Sequence, residues 1–143
     1  MILFDNGHFL LDYDSSTDTL FVTLPDMQTP ALSQAELCFE IMVDHVRNYN
    51  IHHLLLDSSQ AVVEVAEPEY HDLIYRVSLQ LQKTNLRKVA RLVSATTPLE
   101  AMARRVQQDV LSSEAPTYLI QNFTDREQAL TWLTGKPFRT TIR

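Results

Sequence analysis

The sequence has only two glycines, one cysteine and no long apolar run. Gly7 and Gly135 are too few for G-x-G-x-x-G or Walker loops, which bring several backbone N–H groups up to a phosphate. The lone Cys38 lies in a run with a helical pattern, where a small apolar thiol usually packs in the core. Apolar runs such as residues 54–56 are far shorter than the ~20 residues that span a bilayer. We therefore expect no nucleotide loop, no disulfide scaffold, no reactive cysteine and no membrane span.

Basic residues are scarce in the first part of the chain. Residues 1–82 carry 13 acids and two bases, and residues 83–143 carry five acids and ten bases, giving net charges of −11 and +5 within a total of −6. Nucleic acid is a poor match for an acidic protein, because phosphates need clustered Lys and Arg. The asymmetry reflects either solvated faces that happen to segregate, which we favour, or a dipole that orients self-association or steers a charged partner.

Length and composition predict one globular domain over residues 1–143. The chain has 143 residues, of which 45% are apolar and 21% charged, as in ordinary folded domains. Residues 1–5 lack the basic segment that begins a secretory signal, so we expect a cytoplasmic location.

Hydrophobic periodicity and turn residues predict the element order ββαβαβαβα. The strands are expected at 8–13, 19–24, 51–56, 89–95 and 117–123, and the helices at 33–49, 68–81, 97–110 and 124–132. Thr97 and Glu100 form a capping box around Pro98, which is the strongest helix start in the chain. Thr124 is the expected cap of the last helix, which Gly135 closes.

Alternating strands and helices indicate an α/β fold with a mixed, mostly parallel sheet of about five strands. If successive strands add in sequence order, right-handed crossovers place the helices mainly on one face. The other face then mixes polar and apolar residues and remains partly exposed, as interfaces often are. The residues expected there are Phe21, Leu55, Arg91, Val93 and Leu119. We therefore expect a surface for a protein partner or for self-association, with a homodimer as the simplest form.

The element order, the strand at residues 54–57 and the ending at residues 122–133 resemble the SpoIIAA-like or STAS-like family. That resemblance covers most of the chain, and it implies a (βα) superhelix and a bacterial, non-enzymatic regulatory module related to anti-sigma-factor antagonists and, more distantly, to CRAL-TRIO-type lipid-binding domains. Those antagonists carry a phosphorylatable Ser in a D-S-S-G-like string at a helix start. Here Ser58 and Ser59 follow a strand, Gln60 replaces the glycine, and residues 61–67 precede the next helix, so we do not transfer the phosphorylation switch.

The carboxyl ends of the parallel strands carry a second set of candidate residues. Loops at this edge of a sheet often bind ligands in α/β proteins, and helix N-termini there attract anions. The candidates are Asp57, Ser58, Ser59, Thr96, Thr97 and Asn122. Capping and loop hydrogen bonds account equally well for such residues, and we favour that interpretation over a small anionic or lipid-like ligand.

Neither metal binding nor catalysis is predicted. His52 and His53 are consecutive in a strand and point to opposite faces, and the other histidines lack a chelating spacing. No nucleophile, base and orienting group occur at a recognisable spacing, so we expect no enzymatic activity and no cofactor.

Overall fold

The computed structural model describes residues 1–7, 9–24, 27–28, 32–59, 63–64, 67–93, 108 and 117–135. Its strands are β1 (Ile2–Asp5), β2 (Leu10–Asp14), β3 (Thr19–Thr23), β4 (Met27–Gln28), β5 (His53–Asp57), β6 (Val63–Glu64), β7 (Lys88–Leu92) and β8 (Leu119–Phe123). Its helices, numbered among the described residues, are α1 (Leu32–Asn48), α2 (Glu67–Leu81) and α3 (Arg126–Thr134). The helix predicted at 97–110 lies outside the described residues, apart from Gln108.

The main sheet has the order β1-β2-β3-β5-β7-β8. β1, β2 and β3 are antiparallel neighbours, whereas β3, β5, β7 and β8 pair in parallel. Strands β4 and β6 form a separate parallel pair. The predicted α/β class, the first hairpin and the mixed, mostly parallel sheet are thus confirmed. The SpoIIAA-like superhelix remains an expectation.

The sheet has six strands rather than about five, because residues 2–5 add an edge strand beside β2. Of the described residues between these two strands, Asn6 donates its backbone amide to the Phe9 carbonyl at 3.3 Å. Gly7 has φ +88°, a conformation that favours glycine, and the Asn6 side chain accepts a hydrogen bond from the Phe9 amide at 2.8 Å. A four-residue strand with little alternation gives no periodic signal, so the sequence did not predict it.

Helices α1 and α2 cover one face of the sheet. Apolar residues of α1, spaced three and four apart, meet Leu20, Leu54 and Val89, which lie side by side on neighbouring strands. Cys38 is buried in this core, and burial raises the pKa of its thiol. The expectation that Cys38 packs in the core is confirmed.

Helix α3 packs on the opposite face, which corrects the expectation that the helices lie mainly on one side. Its Ala129 and Leu133 form a second buried cluster with Leu55, Ala90 and Leu92. The physical reason is that the middle residues of β5 and β7, such as Leu54 and Leu55 or Val89 and Ala90, are apolar on both faces and need cover on both. Two of the three described helices share a face, and the last one closes the other side.

The ends of α3 also differ partly from the prediction. Asp125, rather than Thr124, is the N-cap, and its side chain accepts a hydrogen bond from the Glu127 amide at 3.1 Å. Gly135 closes the helix as predicted, in the left-handed conformation at φ +72°.

Candidate functional site

The five residues predicted to share an exposed face lie on two faces. The sheet register places Phe21, Leu55 and Ala90 in one row, under or beside α3. Arg91 instead pairs with Leu56 and faces the α1/α2 side, and Val93 lies one residue beyond the end of β7. The prediction placed the alternation of β7 one residue out of phase. Because each face of that strand mixes apolar with basic residues, the pattern alone could not determine its phase.

Helix α3 also changes what remains exposed. Leu55 is fully buried beneath it, whereas Leu119 lies on the same face at the sheet edge and is 61% exposed. The helix packs over β5, β7 and β8. The predicted common surface is therefore reduced to Phe21 on one half of this face and Leu119 at its far edge.

The half of the α3 face formed by β1, β2 and β3 presents Ile2, Asp12, Asp14 and Phe21, and we call these four residues the open half-face. They share a side because Ile2 pairs with Asp12, Asp12 pairs with Phe21, and Asp14 lies two residues along β2. Ile2 is 60% exposed and Phe21 is half-buried. The surface combines apolar side chains with carboxylates.

A groove of about 530 Å³ crosses the open half-face. Its lining consists of Met1, Asp12, Tyr13, Asp14, Ser15 and Phe21. The Met1 amine lies in this region and donates to Asp12 Oδ1 at 3.1 Å and to the Tyr13 carbonyl at 2.7 Å. A positively charged group with an apolar stem suits this lining, as the amine itself illustrates.

Asp14 is held ionised by its own turn. The hydrogen bond from the Ser16 hydroxyl is the largest effect and lowers the pKa of its carboxyl; burial opposes it, and hydrogen bonds from Thr17 and from the Ser16 amide lower the pKa further. The Ser16 amide donates at 3.1 Å, and the hydroxyls of Ser16 and Thr17 donate at 2.8 and 3.0 Å. Asp14 therefore contributes a fixed negative charge at neutral pH.

The predicted ligand residues at the carboxyl ends of the strands bond mainly to one another and to the backbone. Asp57 Oδ1 accepts from the amide of Ser59 at 3.0 Å and from its hydroxyl. Ser58 is buried and its hydroxyl donates to the Leu92 carbonyl at 3.0 Å. Asn122 Oδ1 accepts from Arg91 at 3.0 Å, which links β8 to β7. Thr96 and Thr97 lie outside the described residues.

Arg126, at the start of α3, connects this strand end with the open half-face. One of its guanidinium nitrogens lies 3.7 Å from Asp57 Oδ2, and the guanidinium lies 5.1 Å from the centre of the Phe21 ring. Sequence reasoning missed Arg126, because its role depends on α3 crossing the face opposite α1 and α2.

A second group missed from the sequence is formed by Tyr13, Asp18 and His52. The Tyr13 hydroxyl donates to Asp18 Oδ1 at 2.7 Å, and His52 Nδ1 contacts Asp18 Oδ2. The hydrogen bond to Asp18, followed by burial and the negative charge of Asp18, raises the pKa of Tyr13 to about 12. Asp18 has φ +51° at the end of the hairpin turn, a conformation that Asp tolerates better than most residues. The cluster of turn formers at 14–18 was the only sequence signal of this group.

Comparisons with known proteins returned no match to a family model, to a curated protein or to a solved structure. In the described parts of the chain, no group of three or more His, Cys, Asp or Glu residues is placed to hold a metal ion. None of the described helices is long and apolar enough to cross a membrane.

Proposed function

We propose that this protein is a non-enzymatic interaction module that binds a protein surface through the open half-face. The observation that carries the proposal is the 60% exposed Ile2 and the half-buried Phe21 beside Asp12 and Asp14, on a half-sheet that borders α3. Apolar surface rimmed by charge is typical of interaction sites. The complementary partner presents apolar side chains and Lys or Arg.

The chemistry of the Tyr13–Asp18–His52 group favours binding over catalysis. With a pKa of about 12, the Tyr13 phenol stays protonated at neutral pH and donates to Asp18 instead of acting as a nucleophile. Its hydrogen bonds join β2, the hairpin turn and the residue before β5. The group therefore serves to fix the strands beneath the open half-face.

Membership of the SpoIIAA-like family is part of the same proposal. The parallel strands β3, β5, β7 and β8 are added side by side in chain order, as repeated βα units would add them, which supports it. The kinship would make the module regulatory, bacterial and cytoplasmic.

Isolation of the tagged protein from the cells that make it tests the proposed surface. Native mass spectrometry and light scattering measure the polypeptide that accompanies it, either a second copy or another protein. We expect the complex to be lost in Phe21→Glu and in Asp12→Arg. Asp12→Arg replaces an exposed negative charge with a positive one, which would repel the Lys or Arg of the partner. Asp44→Arg is the matched control, because Asp44 is an exposed, ion-paired carboxylate on α1.

Correct folding of each variant is checked by circular dichroism, and Asp12→Arg carries the test if Phe21→Glu fails to fold. A wild-type protein isolated as a lone monomer would contradict the proposal, as would complexes that survive both surface variants.

A second candidate function is binding of a small anionic or lipid-like ligand at the carboxyl ends of the strands. Arg126 favours it, because its guanidinium is half exposed and, at 3.7 Å, is not hydrogen-bonded to Asp57. Native mass spectrometry of the same preparation detects a retained small molecule, which should be lost in Arg126→Gln. Protein of the bare polypeptide mass would count against this candidate.

A further inference from the structure

The two edge strands of the sheet each begin with an exposed apolar residue. Ile2 is the first residue of β1 and is 60% exposed, and Leu119 is the first residue of β8 and is 61% exposed. Among the described residues β1 pairs only with β2, and β8 only with β7. An edge strand with an exposed apolar side chain is a template for pairing with another chain.

Ile2 and Leu119 also lie on the same face, the one that α3 covers in part. Ile2 shares a row with Asp12 and Phe21, and Leu119 shares a row with Lys88 and His53, both on that face. The strands β1 and β8 run in the same direction, since β1 is antiparallel to β2 and β2 is antiparallel to the parallel set. A β1 strand can therefore pair in parallel with β8 of another copy while the faces of the two sheets stay aligned.

The charges at the two edges are complementary. Asp5, Asp12 and Asp14 lie on β1 and β2. β8 itself carries no charged residue, but Arg87 precedes β7, and Lys88 begins β7 beside Leu119, with its ammonium donating to the Trp132 carbonyl at 2.8 Å. The charge asymmetry of the sequence is thus laid out across the sheet, with acids at one edge and bases towards the other.

We propose that a second copy of this chain binds at the β1 edge of the open half-face, joined head to tail so that β1 of one copy pairs with β8 of the next. This inference rests on the proposed function, because Ile2 belongs to the open half-face. Ile2 and the partner copy's Leu119 pack side by side, flanked by Asp12 on one side and by Lys88 on the other.

Charge decides between this arrangement and a two-fold dimer. Pairing β1 with β1 would bring two acidic edges together, and pairing β8 with β8 would bring Arg87 and Lys88 of the two copies towards each other. A heterologous contact leaves one edge free at each end, so assembly grows with concentration beyond a dimer or closes into a ring. Short edge strands form a small interface, so the association is weak and weakens further as salt screens the charges.

Two complementary variants test the head-to-tail contact. Ile2→Asp damages only the β1 edge, and Leu119→Lys damages only the β8 edge. We expect wild-type sedimentation coefficients to rise with concentration at low salt, and each variant alone to sediment as a monomer. An equal mixture should form a 1:1 heterodimer and nothing larger, because one intact β1 edge and one intact β8 edge remain.

Leu37→Lys is the matched control for Leu119→Lys, since Leu37 is 57% exposed on α1 and should tolerate the change without loss of assembly. If only one of the two edge variants reduced self-association, the contact would be two-fold and the inference would be overturned. Failure of the mixture to form a dimer would overturn it too.

The outcome also separates the inference from the proposed function. A wild-type monomer in sedimentation, together with a different polypeptide lost in Asp12→Arg after isolation from cells, would overturn the head-to-tail contact and leave the docking surface intact. If Phe21→Glu abolished self-association while Ile2→Asp and Leu119→Lys still self-associated, the head-to-tail contact would again be overturned and the docking surface would stand.

Discussion

Tyr13, Asp18 and His52 join the first hairpin to a segment that is distant from it in the sequence. Asp18 accepts hydrogen bonds from Tyr13 on β2 and contacts His52 just before β5, while the His53 amide donates to the Asp18 carbonyl at 3.2 Å. The turn of the first hairpin is thereby bound to the first parallel strand. This arrangement explains why a polar group occurs at the end of an otherwise apolar core.

Titration of Tyr13 provides a prediction at this scale. Its pKa rises from 10.0 to about 12, mainly through its hydrogen bond to Asp18. Because the folded value is above the unfolded one, the bond stabilises the protein fully below the unfolded pKa, and its contribution is lost as pH rises through the folded pKa. The difference in tyrosinate absorbance between wild type and Tyr13→Phe should show a step near pH 12 in folded protein.

The unfolded protein in urea is the control, and its difference step should lie near the ordinary tyrosine value. Asp18→Asn, which removes the charge, should move the step in the folded protein downward. A step at the ordinary value in folded wild type would show that the hydrogen bond to Asp18 does not form.

At the scale of elements, local signals predicted the hairpin and two helices well. The turn formers at 14–18 run from the last residue of β2 to the residue before β3, and the capping and apolar patterns predicted α1 and α2. These features depend on neighbours in the sequence. The placement of α3 depends instead on which face of β7 the other helices leave uncovered. Val89 is buried on one side of this strand and Ala90 on the other, so its sequence lacks the apolar–polar alternation that would identify that face.

The same distinction applies to the candidate site. Phe21 and Leu119 could be identified from the sequence as residues of a partly exposed sheet face, whereas Leu55 could not be recognised as buried without the position of α3. Ile2 was missed because β1 was missed. Arg126 was missed because its neighbours Asp57 and Phe21 come from two other strands.

The N-terminus of α3 gives a direct test between sequence and structure. Asp125→Ala removes the side chain that accepts from the Glu127 amide and should lower the free energy of unfolding by about 1 kcal/mol. Thr124→Ala is the matched control and should change it by less than about 0.5 kcal/mol, since Asp125 is the cap. Urea unfolding measures both, and a larger loss in Thr124→Ala would restore the original cap assignment.

Considered as a whole, the molecule has two unequal hydrophobic layers on the two faces of one sheet. Of the described residues, nineteen are buried in the cluster that includes α1 and α2, and five are buried in the cluster that α3 forms with the sheet. Parts of a protein with fewer buried apolar contacts have a lower free energy of local unfolding, so the smaller layer should open more easily than the larger one. The open half-face and the β8 edge both border the smaller layer, which allows the docking surface to adjust without disturbing the main core.

The chain carries one natural probe in each layer, and the two probes allow the stabilities of the layers to be compared. Trp132, the single tryptophan, lies on α3 with its ring 5.7 Å from that of Phe123, and Cys38, the single cysteine, lies in the main core. We expect tryptophan fluorescence to report undocking of α3 at a lower urea concentration than the one at which Cys38 becomes reactive towards a thiol reagent. Leu133→Ala, which empties a buried position under α3, should move the fluorescence transition and leave Cys38 protection much less affected. Coincident transitions in both proteins would mean instead that the two layers unfold as one cooperative unit.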